Sequence, residues 1–154
     1  MTFAQLHSRV VARLAAGFIA SAVLLGSAPA PAGEVPIFLG SIGVGKAKPE
    51  VQSELRSLLR AELSSGEFTR LKSKERYMLS ATIVRLDSVQ SDDSVRATCV
   101  VSVALLRDNG STLYALIHGR ATAEEAKARV DIAQSDALRA AVHSAMVRVP
   151  KALR

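Results

Sequence analysis

The chain has 154 residues, a formal net charge of +6, an aromatic content of 4% and no tryptophan. Proteins that bind nucleic acids usually gather Lys and Arg on one face and add aromatic side chains on which bases stack. Here the basic residues are spread along the chain and aromatic residues are scarce, so we expect no nucleic-acid partner.

The amino-terminal segment has the three parts of a secretory signal peptide. Arg9 and Arg13 supply the basic region, residues 14–26 the short apolar core, and Ala-Pro-Ala patterns within 28–32 the cleavage site. The apolar run is shorter than the roughly 20 residues of a bilayer-spanning helix, and an uncleaved anchor is the alternative. We predict a signal peptide over 1–32 that is cleaved near Ala32. The mature protein is then periplasmic or secreted and has no stable membrane span.

Residues 33–154 are predicted to form a single domain that begins with a strand at 35–40 and a glycine-rich connection. An amphipathic helix should follow from Pro49, because apolar side chains recur at helical spacing. Pro49 suits the first helical turn, and Gly66 suits the left-handed position after the last turn. The apolar positions of this helix are Val51, Leu55, Leu58, Leu59 and Leu63.

The middle of the domain is predicted to be an antiparallel meander, because its apolar residues alternate and a tight-turn signal, DNGS at 108–111, joins two of its strands. A brief strand at 67–71 could precede it, and the three strands of the meander are expected at 77–88, 94–107 and 112–123. The inward side chains of the first two of these three are Tyr77, Leu79, Ala81, Ile83, Val95, Ala97, Cys99, Val101, Val103 and Leu105. The opposite side of the first is predicted to carry Met78, Ser80, Thr82, Val84 and Leu86.

A second amphipathic helix should close the domain. Its start is marked either by a capping box from Asp131 to Gln134 or by Ser135 as the N-cap, and Pro150 prevents its continuation. Its apolar face is Leu138, Ala141, Val142, Ala145, Met146 and Val149. These elements predict an α+β fold: a two-layer sandwich of about four mainly antiparallel strands with two helices on one face.

One motif resembles a phosphate-binding loop, because Gly40, Gly45 and Lys46 fit the pattern G-x-x-x-x-G-K after a short strand. A working loop needs a following Ser or Thr hydroxyl for magnesium, and here Ala47 occupies that position. Pro49 also removes a backbone N–H from the start of the helix. We therefore expect a flexible connection and no nucleotide or other cofactor.

The chain offers no recognisable set of catalytic or metal-binding residues. Asp87, Asp92 and Asp93 do not have the spacing of a calcium loop, and the histidines are too few and too scattered for a zinc site. Cys99 should be a buried, protonated thiol, although an intermolecular disulfide is an alternative for an odd cysteine. We accordingly predict no catalytic residues, no metal site and no enzyme activity.

Three features carry a resemblance to a known class of proteins: the strand SATIVRLDS, the hairpin VSVALLRDNGSTLY and the alanine-rich closing helix. Over residues 36–149 the chain resembles a class of bacterial envelope domains. This class includes the periplasmic domain of the curli secretion channel, the outer-membrane activators of penicillin-binding proteins and the amino-terminal domain of the translocation protein TolB. The resemblance implies a binding or assembly module. The chain departs from the class because it has no lipidation cysteine and no channel-forming hairpins.

Two functions remain open from the sequence. The first is a non-enzymatic module that binds an envelope protein or polymer through the sheet face away from the helices. The candidate contact residues are Val100, Leu106, Tyr114, Leu116 and His118, since exposed apolar patches often mark contacts. The alternative is a small hydrolase or transferase with a dispersed site, which a pocket converging on His118 or Asp87 would favour.

Overall fold

The computed structural model describes residues 36–45, 49–71, 75–107 and 112–153. The predicted signal peptide, its cleavage site and the predicted turn at 108–111 lie outside these residues. Four strands and four helices follow one another along the described chain. They are β1 (Ile37–Gly43), α1 (Pro49–Leu63), α2 (Gly66–Thr69), β2 (Tyr77–Gln90), β3 (Ser94–Arg107), β4 (Leu113–Ala126), α3 (Val130–Met146) and α4 (Val149–Ala152).

The strands form a sheet in the order β1-β2-β3-β4. Strands β2, β3 and β4 pair antiparallel as the predicted meander, whereas β1 pairs parallel to β2 through the crossover helix α1. Three irregularities interrupt the registers: one between Leu39 and Ile42 on β1, one between Ile83 and Arg85 on β2, and one at Tyr114 on β4. The α+β sandwich with helices on one face of a mainly antiparallel sheet is confirmed.

We call the helix-packed side of the sheet the covered face and the other side the open face. Strand β3 shows the division: every second residue, from Val95 to Leu105, is fully buried on the covered face. The residues between them, from Ser94 to Leu106, lie on the open face and are only half-buried or exposed. The inward residues predicted for β2 and β3 are therefore confirmed.

Helix α3 lies very close to the sheet because small residues line its buried side. Four alanines one turn apart, Ala133, Ala137, Ala141 and Ala145, are fully buried. Opposite them on β4 is Gly119, where a Cβ atom would come within 2.0 Å of the Ala141 carbonyl oxygen. The helix backbone therefore rests directly on the strand backbone, a contact that only glycine allows.

Several local predictions were wrong in their details. Residues 67–71 do not form a strand; the short helix α2 begins at Gly66, and its Phe68 is buried in the core. Gly66 is thus not a left-handed terminator of α1. Helix α3 begins after Arg129 with no side-chain cap, so Asp131 and Ser135 lie inside the helix instead of capping it.

Two predictions for the helices hold in part. In α1, Leu55 and Leu59 are fully buried at the predicted spacing. The predicted apolar face of the closing helix is buried, but α3 ends at Met146, so Val149 of that face belongs to α4. Pro150 then lies in the first turn of α4, where its missing N–H costs no helical hydrogen bond.

Candidate functional site

The first part of the segment that resembles a phosphate-binding loop is a strand. Strand β1 extends to Gly43, three residues beyond the predicted end of the strand, so Gly40 is part of the sheet. A Cβ atom at Gly40 would lie 2.5 Å from Cγ of Met78 on the neighbouring strand. Gly45 has a positive φ of 56° and forms the turn after the strand. Lys46 lies outside the described residues.

A cleft of about 340 Å³ opens where the amino-terminal ends of α1 and α3 meet β2. Apolar side chains and polar groups share its wall. The lining residues are Glu50, Val51, Glu54, Leu86, Asp131, Gln134, Ser135 and Leu138. Neither Asp87 nor His118, on which the predicted enzyme pocket would have converged, belongs to this lining.

The polar groups of the cleft have structural partners. The hydroxyl of Ser135 donates a hydrogen bond to the carboxylate of Glu54 and so joins the two helices. The side-chain amide of Gln134 donates to Oγ of Ser88 at 3.3 Å and joins α3 to β2. Glu50 and Asp131 lie in the first turns of their helices, where a negative charge stabilises the helix dipole. These contacts account for the polar lining as connections between elements.

The remaining candidate residues lie apart from one another. Asp87 is exposed and forms an ion pair with Arg85 on the open face, and the hydrogen bond from that guanidinium lowers the pKa of Asp87. His118 is exposed on β4. Cys99 is fully buried on the covered face, and burial raises the pKa of its thiol to about 12. Among the described residues, no cluster of three His, Cys, Asp or Glu side chains could hold a metal ion.

The open face carries a row of large apolar side chains that crosses the whole sheet. The registers place Phe38 opposite Met78, Met78 opposite Leu106, and Leu106 opposite Leu113. In the next row Leu116 lies opposite Ala104. Leu113 and Leu116 are 55% and 53% exposed, although leucine is usually buried. We call these residues, Phe38, Met78, Ala104, Leu106, Leu113 and Leu116, the apolar band.

The other end of the open face is polar. Arg96 binds the carboxylate of Glu124 at 3.0 Å, and Thr98 lies opposite Thr122 with their hydroxyls 3.3 Å apart. The hydrogen bond from Arg96 lowers the pKa of Glu124, as does a second one from Ser94. One face of the sheet therefore has an apolar end and a charged, hydrogen-bonded end.

The structure divides the predicted patch between these two ends. Leu106 and Leu116 belong to the apolar band. Val100 lies opposite Arg120, in the row next to the polar end, whereas His118 lies opposite Ser102, in the row next to the apolar band.

Tyr114 occupies neither end, because it is the additional residue of the bulge in β4 and has no direct partner on β3. Its ring centroid lies 5.0 Å from that of Tyr77, a buried core residue.

The sequence did not identify Phe38, Met78 and Leu113 as members of the apolar band. Their contribution depends on the register between strands, which a single sequence does not reveal. The bulge on β2 has a similar effect at Leu86, which alternation alone placed away from the helices. The bulge returns Leu86 to the covered face opposite Cys99, and there it lines the cleft.

Within the described ranges, the helices are too short or too polar to cross a bilayer. No protein-family model and no curated protein matches the chain. Its fold is similar to that of a "putative lipoprotein" from Caulobacter crescentus CB15, with a TM-score of 0.51 and 17% identity, covering 77% of this chain and 88% of that one. It is also similar to a minor lipoprotein from Acinetobacter baumannii, with a TM-score of 0.50 and 9% identity, covering 77% and 92%. At these identities the likeness concerns the fold.

Proposed function

We propose that this protein is a non-enzymatic module of the bacterial envelope that binds a partner protein through the apolar band. The observation that carries the proposal is the row of apolar side chains across all four strands, on a face that none of the described helices covers. Such a surface is costly to leave in water, since apolar area contributes about 25 cal/mol per Å² when it is buried. A partner that covers Leu113 and Leu116 gains this contribution.

The envelope location has two supports. The sequence begins with the basic region, apolar core and small-residue site of an export signal. Two proteins with this fold are named as bacterial lipoproteins. This protein would lie in the same compartment as these lipoproteins but would carry no lipid anchor, because no cysteine follows the apolar core of its signal.

A role in assembly, as in the activators of penicillin-binding proteins or the secretion and translocation proteins that the sequence resembles, is the finer form of this proposal. These roles depend on holding another protein in place, and an apolar band bordered by polar groups suits that task. The mildly basic chain would also be attracted weakly to anionic surfaces of the envelope.

The test is photo-crosslinking in cells. A photoreactive amino acid replaces Leu113 in one strain, Leu116 in a second and Arg85, an exposed polar residue on the open face of β2, in a third. We expect a discrete crosslinked partner from positions 113 and 116 in the periplasmic fraction and a much weaker product from position 85. Leu116→Glu should abolish the crosslink formed from position 113 without unfolding the protein. Retention of that crosslink in the folded variant would count against the band as the binding surface.

A further inference from the structure

Strand β4 lies at an edge of the sheet, and its free side has a definite pattern of backbone groups. In an antiparallel ladder, the N–H and C=O of each residue point either towards the neighbouring strand or away from it, in alternation. The carbonyl oxygen of His118 accepts a hydrogen bond from the guanidinium of Arg148 at 3.2 Å, so it points away from β3. Because the β3–β4 register is continuous from Ala115 to Ala126, the backbone groups of Arg120, Thr122 and Glu124 point the same way.

Within the described part of the chain, the outer edge of β4 is unpaired at these three residues. Among the described residues, no further backbone hydrogen bond is made by Arg120, Thr122 or Glu124 on the side away from β3. The carbonyl of Ala126 is already occupied by the N–H of Arg129 at 2.8 Å, and the edge at His118 is occupied by Arg148. The open segment is therefore bounded at both ends. An open edge segment is a template for another strand.

We propose that this segment pairs with the same segment of a second copy, antiparallel and centred on Thr122. Thr122 then faces Thr122 of the second copy, and Arg120 faces Glu124 on each side of the two-fold axis. Each of these pairs exchanges backbone hydrogen bonds, and the two sheets become one.

Charge complementarity selects this register. The side chain of Arg120 has no ion-pair partner within the described residues, and the carboxylate of Glu124 is half exposed. A register centred on Arg120 would instead place two arginines opposite each other, which is destabilising. Centring on Thr122 creates two opposite-charge pairs, related by symmetry as a two-fold interface requires.

Small residues on the covered face allow the two copies of α3 in the dimer to come close to each other. On β4 the residues beneath α3 near the contact are small: Gly119, Ala121 and Ala123. Helical spacing places Ala140 and Ser144 on the side of α3 opposite Ser135, whose hydroxyl contacts α1. Two copies of α3 can therefore approach to the 8–10 Å typical of packed helices.

The test is sedimentation velocity of the purified protein over a dilution series that reaches about 1 mM, which covers weak interfaces. We expect a concentration-dependent dimer. Arg120→Glu and Glu124→Arg should each abolish it, because each places like charges opposite one another. Mixing these two variants should restore a dimer, since both acidic side chains of one copy then face the two arginines of the other.

Two further variants test whether the dimer forms through the outer edge of β4 or through the open face of the sheet. Thr122→Pro removes an N–H that points away from β3, so the variant should fold and remain monomeric. Arg85→Glu, on the open face of β2, should dimerise like the unaltered protein. A monomer at every concentration, or a dimer that Arg120→Glu and Thr122→Pro leave intact, would overturn the proposal. So would failure of the two charge variants, each shown to be folded by circular dichroism, to form a mixed dimer.

Discussion

The two faces of the sheet are built from the same strands but follow different rules. On β3 the covered face is a continuous apolar surface of fully buried residues. The open face, on alternate residues of the same strand, changes from ion pairs at Arg96 to an apolar end at Leu106. Packing against the helices requires a continuous surface of apolar side chains on the covered face. The mixed composition of the open face is not required by the fold, so it is the side on which binding can be selected.

The largest difference between the faces is expected at two adjacent leucines of β3. Leu105→Ala removes a fully buried side chain from the covered face and should lower the free energy of unfolding by about 4 kcal/mol. Leu106→Ala, on the open face, should cost less than about 1 kcal/mol, since its side chain is not enclosed. Urea denaturation of both variants measures the difference. Equal losses would mean that the open face is as tightly packed as the covered one.

Glycines on the two faces should also respond differently to substitution. Gly119→Ala forces a methyl group against the backbone of α3 and should lower the free energy of unfolding by about 3 kcal/mol. Gly43→Ala places its methyl group on the open face, 3.1 Å from the hydroxyl oxygen of Thr82, which can move. The loss there, measured by the same urea denaturation, should be well under half as large. A mild effect at Gly119 would contradict the direct backbone contact between α3 and β4.

Cys99 tests whether the covered face excludes water. Burial raises the pKa of its thiol to about 12, whereas the unfolded thiol titrates near 9. The folded state therefore holds the proton more tightly, and its stability is complete below pH 9 and declines as pH rises towards 12. The free energy of unfolding of the unaltered protein should fall in this window relative to Cys99→Ala, by roughly 1 kcal/mol per pH unit. Parallel pH profiles for the two proteins would show that the thiol is not buried.

The smallest effect is expected at the polar end of the open face. The hydrogen bond from Arg96 lowers the pKa of Glu124, so Arg96→Gln should raise that pKa towards its ordinary range. Because the pair is exposed, stability near neutral pH should hardly change. NMR titration of the Glu124 carboxyl carbon checks the direction. An unchanged pKa would mean that the ion pair does not persist in solution.

Much of this architecture could be predicted from the sequence, because the spacing of apolar residues along the chain indicates which side of each strand and helix is buried. The alternation from Val95 to Leu105 and the helical spacing of Leu55 and Leu59 identify the core without knowledge of the fold. The tight-turn signal at 108–111 and the two strands beside it predict the antiparallel pairing of β3 and β4. These are local patterns whose physical cause is burial on one side.

What the sequence did not reveal depends on pairing between distant segments. The apolar band exists because Phe38 and Leu113, which are far apart in the sequence, fall in the same row of the sheet. Bulges at Val84 and Tyr114 reverse the alternation locally, and no residue type there announces them. The helix caps failed for a similar reason: Ser135 contacts Glu54, on another helix, in preference to its own backbone.

The parallel strand β1 has a consequence for how the chain acquires its fold. Strands β2, β3 and β4 are neighbours in sequence, so they can associate through short loops and at low entropic cost. Strand β1 reaches its place only after α1 has crossed over the sheet, and it forms an outer strand. We therefore expect β1, the first of the described strands to be synthesised, to be the last of them to become protected from hydrogen exchange. The late-ordering residues include Phe38, so the apolar band, the proposed binding surface, would be complete only when folding is complete.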